Sequence, residues 1–557
     1  MASTAHAYGA DPEDMTDKAI YMTNVTGDTE KDAVSPEFEE AAEFMEVRDL
    51  KQGLQQRHIQ MIALAGTIGT GLFLSSGNAL ATGGPLGAFL GYTLTGIIVA
   101  GVVLSVAELS ALIPLSGGVI RHAEYLVDPA LSFAIGWNKV YSALVTIPAE
   151  ITAAAVIVSF WKEINNAVWI SVFGALLFAA NMFLVRIYGE LEFTFAILKI
   201  LLIVGQNIMA LVITCGGGPN HETYGFRYWR HPGPFVQYLG IGGSLGRFLG
   251  FWSTFNNAAY AYGGMDDITV VASETKAPRR NIPKAAKRIF VRVLLFYSVS
   301  IFMVTLLVAS DDQALLDPTK SGTAAQSPFV IAAERAGIHA VPSIINVVVL
   351  TSAWSAGNES LLGGSRILYG LAQHGHAPRF FRRTNRFSIP YVCVMFVGIF
   401  VCLGYMTLSD SASTVFTWFQ DLVSSAILMG WTIICIVYLR FYYAMKKQGI
   451  SRDELPWKSP FQPYMCWACF FMLAIILLTG GYTVFIHHHW DSETFISAYL
   501  DLVIVPVLYV GYKIVYRTRI IPLDEVPVRR FIEIANRNPE PPEKPKKGLH
   551  KLNILWS

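Results

Sequence analysis

Apolar residues run along this chain in blocks of about 20, the length a helix needs to cross a bilayer. Residues 86–107 and 388–409 carry no charge at all, and 167–185 and 422–439 are built the same way. The pattern predicts twelve spans, at 59–80, 86–112, 131–160, 167–185, 190–214, 247–273, 290–310, 341–371, 389–409, 414–440, 462–487 and 494–516. One such block could be a buried helix of a soluble protein, but twelve in succession exclude that reading. A membrane β-barrel would instead alternate over segments of about ten residues. The expected fold class is therefore all-α and polytopic. With the N-terminus inside, the inner loops hold 19 Lys or Arg and the outer loops six. Positive residues stay on the cytoplasmic side, which places both termini in the cytoplasm.

Composition agrees: 53% of the 557 residues are hydrophobic and 15% charged, against about 25% charged in soluble chains. A net charge of +1 gives no sign of nucleic-acid binding. Residues 1–55 form an acidic tail without the apolar core of a signal peptide, expected to be solvated and disordered. The Pro- and Lys-rich segment 517–557 reads the same way. Cys466 and Cys469 form a CxxC at the mouth of a hydrophobic span, where packing is favoured over metal or redox chemistry.

Two spans are interrupted. The first carries Gly66-Thr67-Ile68-Gly69-Thr70-Gly71, a poor continuous helix. Free backbone in lipid has no hydrogen-bond partners, so an unwound stretch must line a protein cavity. A dinucleotide loop is excluded by the absence of a βαβ unit; a tight small-residue interface is the plain alternative. The sixth span reads Tyr260-Ala261-Tyr262-Gly263-Gly264-Met265-Asp266-Asp267, a double Gly followed by two costly carboxylates. Two broken spans five apart are the pattern of an inverted-repeat transporter with its site at the midplane. The half-helix N-terminus in the first span suits a carboxylate, and the carbonyl end in the sixth suits an ammonium. One ligand with both groups at fixed spacing is an α-amino acid.

These segments, together with Ala107-Glu108-Leu109, Pro148-Ala149-Glu150, ETKAPRRNIP (274–283) and SRILYGLAQHGHAP (365–378), resemble the fungal amino acid permeases of the amino acid–polyamine–organocation superfamily. The likeness covers about residues 50–520. The loop GGGPNHETYGFRYW (216–229) is similar to the branch containing the dicarboxylic amino acid permease. The resemblance implies five plus five inverted spans (56–214 and 247–445) with two appended (462–516), and no cofactor. It implies that the Thr70 and Gly71 N–H groups hold the substrate carboxylate. Carbonyls of Thr67, Tyr260 and Gly263 would hold the ammonium, with Ile68, Gly69, Tyr262, Gly264 and Asp266 completing the site and Tyr260 closing over it. It further implies a plasma-membrane importer, and ubiquitin-ligase machinery acting on Lys18 and Lys31.

Charges inside the spans are the candidates for coupling and specificity. Glu150 lies level with the pocket, and Lys199 stands where sodium-independent relatives place a lysine. Glu108, near the inner end of the second span, reads as a gate or structural partner. Glu359 and Asp421 are acids the family pattern lacks, and they favour non-acidic or broad substrates over the dicarboxylic likeness. Asp267, one position past Asp266, is expected to point elsewhere. No P-loop is present, so transport would draw on an ion gradient, with protons inferred from the resemblance and from Lys199. The rival readings are a non-transporting amino acid sensor and a transporter of polyamines or other cations. An enzyme is disfavoured by scattered acids, with no metal-spaced His or nucleophile elbow.

Overall fold

The apolar blocks fold as helices. The computed structural model describes residues 69–540 apart from 116, 163, 184, 268–277, 317–326, 387 and 538. No strand occurs among the described residues, and seven helices there are long and apolar enough to cross a membrane, with shorter apolar helices at Asn166–Met182, Phe296–Leu307 and Tyr464–Thr479. The outer half of the first span and the whole second span form one element, Ser75–Leu112, bent at Gly84. Gly84 adopts φ +75°, which a side chain disfavours, and Pro85 follows it. The third span is Pro129–Val158, capped by the Asp128 side chain, which accepts from the Leu131 N–H. The fourth is Asn166–Phe183, the fifth Val185–Thr214 and the first half of the sixth Gly243–Ala261.

The amphipathic helix Pro278–Arg292 leads into the seventh span, which ends as Val299–Leu307. The eighth is Ala340–Gln373, the tenth Ala412–Lys447, the eleventh Tyr464–Thr479 and the twelfth Ser492–Tyr516. The ninth begins as α-helix over Tyr391–Gly398 and tightens to 3₁₀ over Ile399–Leu408. The third span packs most extensively on the eighth, and the first–second element on the sixth. Large apolar side chains stay exposed along the fifth span (Leu201, Ile208, Leu211) and the twelfth (Val503, Val507, Ile514), as a lipid-facing surface requires.

The segment after 517 departs from the solvated tail expected of it. Its backbone packs on the ends of the spans: the Ile521 N–H donates to the Val127 carbonyl at 2.9 Å, and Gln448 Nε2 donates to the Leu523 and Val526 carbonyls at 2.9 and 2.8 Å. It ends in the helix Val528–Arg537, which buries Val528, Phe531, Ile532 and Ala535. Those four stand at i, i+3, i+4 and i+7, one apolar stripe. Arg279 Nη1 caps this helix by donating to the Ala535 carbonyl at 2.7 Å. The N-terminal tail, with Lys18 and Lys31, lies outside the described residues.

Candidate functional site

The site grows from Gly69 and Thr70, where the described part of the first span begins. Thr67 and Ile68 precede the described residues. From Thr70 the chain turns, its carbonyl accepting from the N–H groups of Phe73 (3.1 Å) and Leu74 (2.8 Å) before the helix starts at Ser75. Gly71 lies directly on the end of the sixth-span helix; a Cβ there would stand 2.6 Å from Ala261 Cα. Gly264 has φ +76°, so the sixth span breaks where only glycine turns without strain. The Tyr260 carbonyl accepts from the Gly263 N–H at 3.2 Å as that helix ends.

Glu150, from the third span, reaches between these two breaks. Its Oε1 accepts from Thr70 Oγ1 at 3.2 Å and from the Tyr260 hydroxyl at 3.0 Å. Thr70 Oγ1 and the Tyr260 hydroxyl are 3.3 Å apart, closing the triangle. All three residues are buried, and Glu150 Oε2 has no hydrogen-bond partner within the protein. A Cβ on Gly69 would sit 2.7 Å from Glu150 Oε1, so a hydrogen at that position makes room for the carboxylate. Spans one, three and six thus meet on one carboxyl group.

Lys199 belongs to a second buried group. Its Nζ donates to Ser355 Oγ of the eighth span at 3.0 Å, and Ser355 Oγ donates to Glu192 Oε2 at 2.5 Å. Glu192 Oε1 is 3.7 Å from Lys199 Nζ, and both side chains are fully buried. Glu192 escaped the sequence reading. The available signal was its spacing of seven from Lys199, which puts both on one face of the fifth span. The charge of Lys199 also acts on Glu150, so the two groups are neighbours electrostatically.

Asp266 and Asp267 make a third group, with another residue that sequence reasoning passed over. Lys139 Nζ donates to Asp266 Oδ2 at 2.5 Å and to Asp267 Oδ1 at 3.2 Å, and Trp431 Nε1 donates to Asp266 Oδ1 at 3.0 Å. The expectation that Asp267 points elsewhere does not hold, because one lysine gathers both acids. Tyr262 turns away from Glu150: its hydroxyl donates to the Tyr92 carbonyl at 2.9 Å and its ring lies 4.4 Å from that of Tyr297. Gly263 faces Ile427 of the tenth span. Asp421 accepts from Asn256 Nδ2 at 2.7 Å, beside a polar ladder in which Ser75 Oγ donates to Gln420 Oε1 (2.7 Å) and Gln420 Nε2 to Asn257 Oδ1 (2.8 Å). Glu359 lies partly buried on the eighth span, two residues past Gly357, whose added Cβ would touch Glu150 Cβ at 3.6 Å. Glu108 is tied by Arg452 (2.7 Å) and the Ser459 N–H (2.7 Å), an anchor for the inner loop.

Of the candidates, then, Gly69, Thr70, Gly71, Glu150 and Tyr260 converge, while Lys199, Asp266 and Asp421 each anchor a separate polar group. The converged set offers hydroxyl donors to a carboxylate beside the end of the sixth-span helix.

Comparison with known proteins gives the same direction. The family model described as amino acid permease matches residues 58–523. The chain is 37% identical over 496 residues to the dicarboxylic amino acid permease of Saccharomyces cerevisiae, covering 88% of this chain and 81% of that protein. It is 38% identical to the proline-specific permease of the same yeast (89% and 81% covered) and 35% identical to its lysine-specific permease (89% and 81%). Among solved structures, a mutant of the Eremococcus coleocola manganese transporter superposes with a TM-score of 0.54 at 13% identity, over 90% of this chain and 98% of that one. At that identity the likeness shows a shared fold.

Proposed function

Because the chain belongs to the amino acid permease family, a family of multi-pass membrane transporters and not enzymes, we propose that it is a proton-coupled amino acid importer of the plasma membrane working by alternating access. The observation that carries this reading is the position of Glu150. Its carboxylate occupies the two hydroxyl donors, Thr70 Oγ1 and Tyr260, that an incoming α-carboxylate would use. Two carboxylates on one set of donors repel, and the repulsion is relieved when one takes a proton. Substrate entry therefore displaces Glu150 and loads it with a proton, and exit of the substrate restores the triangle. Lys199, balanced by Glu192, holds the field around this exchange.

The three yeast relatives named above differ in side chain, acidic, cyclic and basic by their names, yet their substrates share the α-carboxylate and an amine. A site built from backbone and hydroxyl groups at the two breaks reads that shared part. The side-chain end then belongs to residues such as Asp421 and Glu359, whose acids favour neutral or broad substrates. By the same family argument the termini are cytoplasmic, with Lys18 and Lys31 as ubiquitin acceptors.

The test is uptake by purified protein in liposomes across a panel of labelled amino acids and polyamines, at two pH values. The proposal expects several amino acids to accumulate under an inward proton gradient. Uptake that follows sodium instead ends the proton reading. Accumulation of polyamines alone, or of nothing in cells lacking their own permeases, favours the cation transporter or the sensor.

A further inference from the structure

We propose that Asp501, in the middle of the twelfth span, is a proton-binding carboxyl that loads and unloads during transport, at a place separate from the substrate site. It is the tenth residue of Ser492–Tyr516, about 14 Å along the helix from its outer end. Its side chain is fully buried, and neither oxygen has a hydrogen-bond partner within the protein.

Other buried acids of this fold are held either by hydrogen-bond donors, as Glu150 is by the Thr70 and Tyr260 hydroxyls, or by a cation. Glu108 has Arg452, Glu192 has Lys199, Asp266 has Lys139, and Asp128 has Lys513 of the same twelfth span at 2.9 Å. Asp501 has no such cation among the described residues. The twelfth span packs on the third span, the tenth span and the turn Tyr482–Phe485. From the third span Tyr141 faces Asp501, its own hydroxyl also unpartnered; from the other two elements no charged or titratable group acts on it among the described residues. A bare anion in this setting would be uncompensated charge in a poorly polarisable interior, whereas the neutral acid is not. The occupant is a proton rather than a metal ion, because a hard cation takes six or more oxygen ligands and no cluster of metal-binding residues occurs among the described residues.

The surroundings of Asp501 are also set to change. Tyr141 lies nine residues before Glu150 on the third span, about 14 Å along the same helix, with Pro148 between them. A shift of that helix when substrate displaces Glu150 moves Tyr141 against Asp501 and alters the conditions that keep its proton. This step rests on the coupling proposed above.

The experiment is Asp501→Asn, which keeps the size and neutrality of the protonated acid, in purified full-length protein in liposomes. Two readouts are taken: the carboxyl C=O stretch in infrared difference spectra with and without amino acid, and protons moved per substrate across a pH series. The proposal expects a protonated-carboxyl band that responds to substrate in the unmodified protein and is missing in the variant. It also expects a flattened pH profile with a lower proton count in the variant, while substrate still binds. No protonated band assignable to Asp501, or a variant with unchanged pH profile and proton count, overturns it. If the unmodified protein itself ignores protons, the coupling reading fails, and the band alone decides: substrate-sensitive supports the site, insensitive refutes it. Should Asp501→Asn not reach the membrane, Asp501→Glu keeps the acid and must shift the band.

Discussion

Glu192→Gln isolates the buried pair that balances Lys199. The two charges stand 3.7 Å apart with both side chains out of contact with solvent. At an effective dielectric of about 20 their attraction is about 4–5 kcal/mol, and removing one member of a buried pair costs about 3–5 kcal/mol in practice. The substitution keeps shape and the option of a hydrogen bond from Ser355, so the loss is that of charge. Glu192→Gln is expected to lower the thermal midpoint of the detergent-purified protein well outside error, and Lys199→Met to do likewise by stranding Glu192. The double variant Glu192→Gln/Lys199→Met is expected to recover most of the stability, because no lone charge remains, yet to lose proton-driven uptake, because the field on Glu150 has gone. A double-mutant cycle on the midpoint, with uptake measured beside it, checks both parts. Single variants as stable as the parent, or a double variant no better than the worse single, would refute the pairing argument.

Three further outcomes follow from the same geometry. Gly71→Ala meets backbone at 2.6 Å whereas Gly69→Ala meets side chains, the end of Glu150 at 2.7 Å and Ala356 Cβ at 3.3 Å. The first is expected to impair folding and surface expression, and the second to reach the surface and lose uptake; equal uptake by Gly69→Ala and the parent would sink the crowding argument. Asp266→Asn removes a charge-assisted bond from a nearly buried acid and should cost about 1.5–3 kcal/mol, while Asp267→Asn, whose side chain is 46% exposed, should cost under about 1 kcal/mol by the same midpoint measurement. Phe531→Asp, at a position 3% exposed and edge-on to Tyr125, forfeits about 2–3 kcal/mol of apolar burial; it should free the C-terminal helix for early cleavage in limited proteolysis, and an unchanged digest would contradict the docked tail.

Much of this architecture was legible because a bilayer enforces one rule, that backbone polar groups be satisfied within helices. Block length alone located the spans, and Gly263 and Gly264 marked the end of the sixth-span helix, while the stretch before Gly69 lies outside the described residues. The convergence of Thr70, Glu150 and Tyr260 was half legible: the motifs named the residues, but that one carboxylate bridges both breaks depends on how the third span packs. Lys139 and Glu192 were missed because each lies inside an apolar block, where its cost is hidden until a partner on another span, or a turn pair on the same helix, comes into view. Tyr262 was placed in the pocket by the resemblance, and its hydroxyl goes to the Tyr92 carbonyl instead. The C-terminal helix was hidden by composition: the prolines at 539–545 coloured the reading of a segment whose apolar stripe at 528–535 was periodic all along.

The central claim, that substrate and Glu150 compete for one set of carboxylate donors and so exchange a proton, is tested most directly with Glu150→Gln in liposomes. Gln mimics the protonated acid in size and charge. The account predicts that the variant still binds amino acid and exchanges it across the membrane, but that an imposed pH gradient no longer drives accumulation. Accumulation by Glu150→Gln that still responds fully to the proton gradient would contradict it.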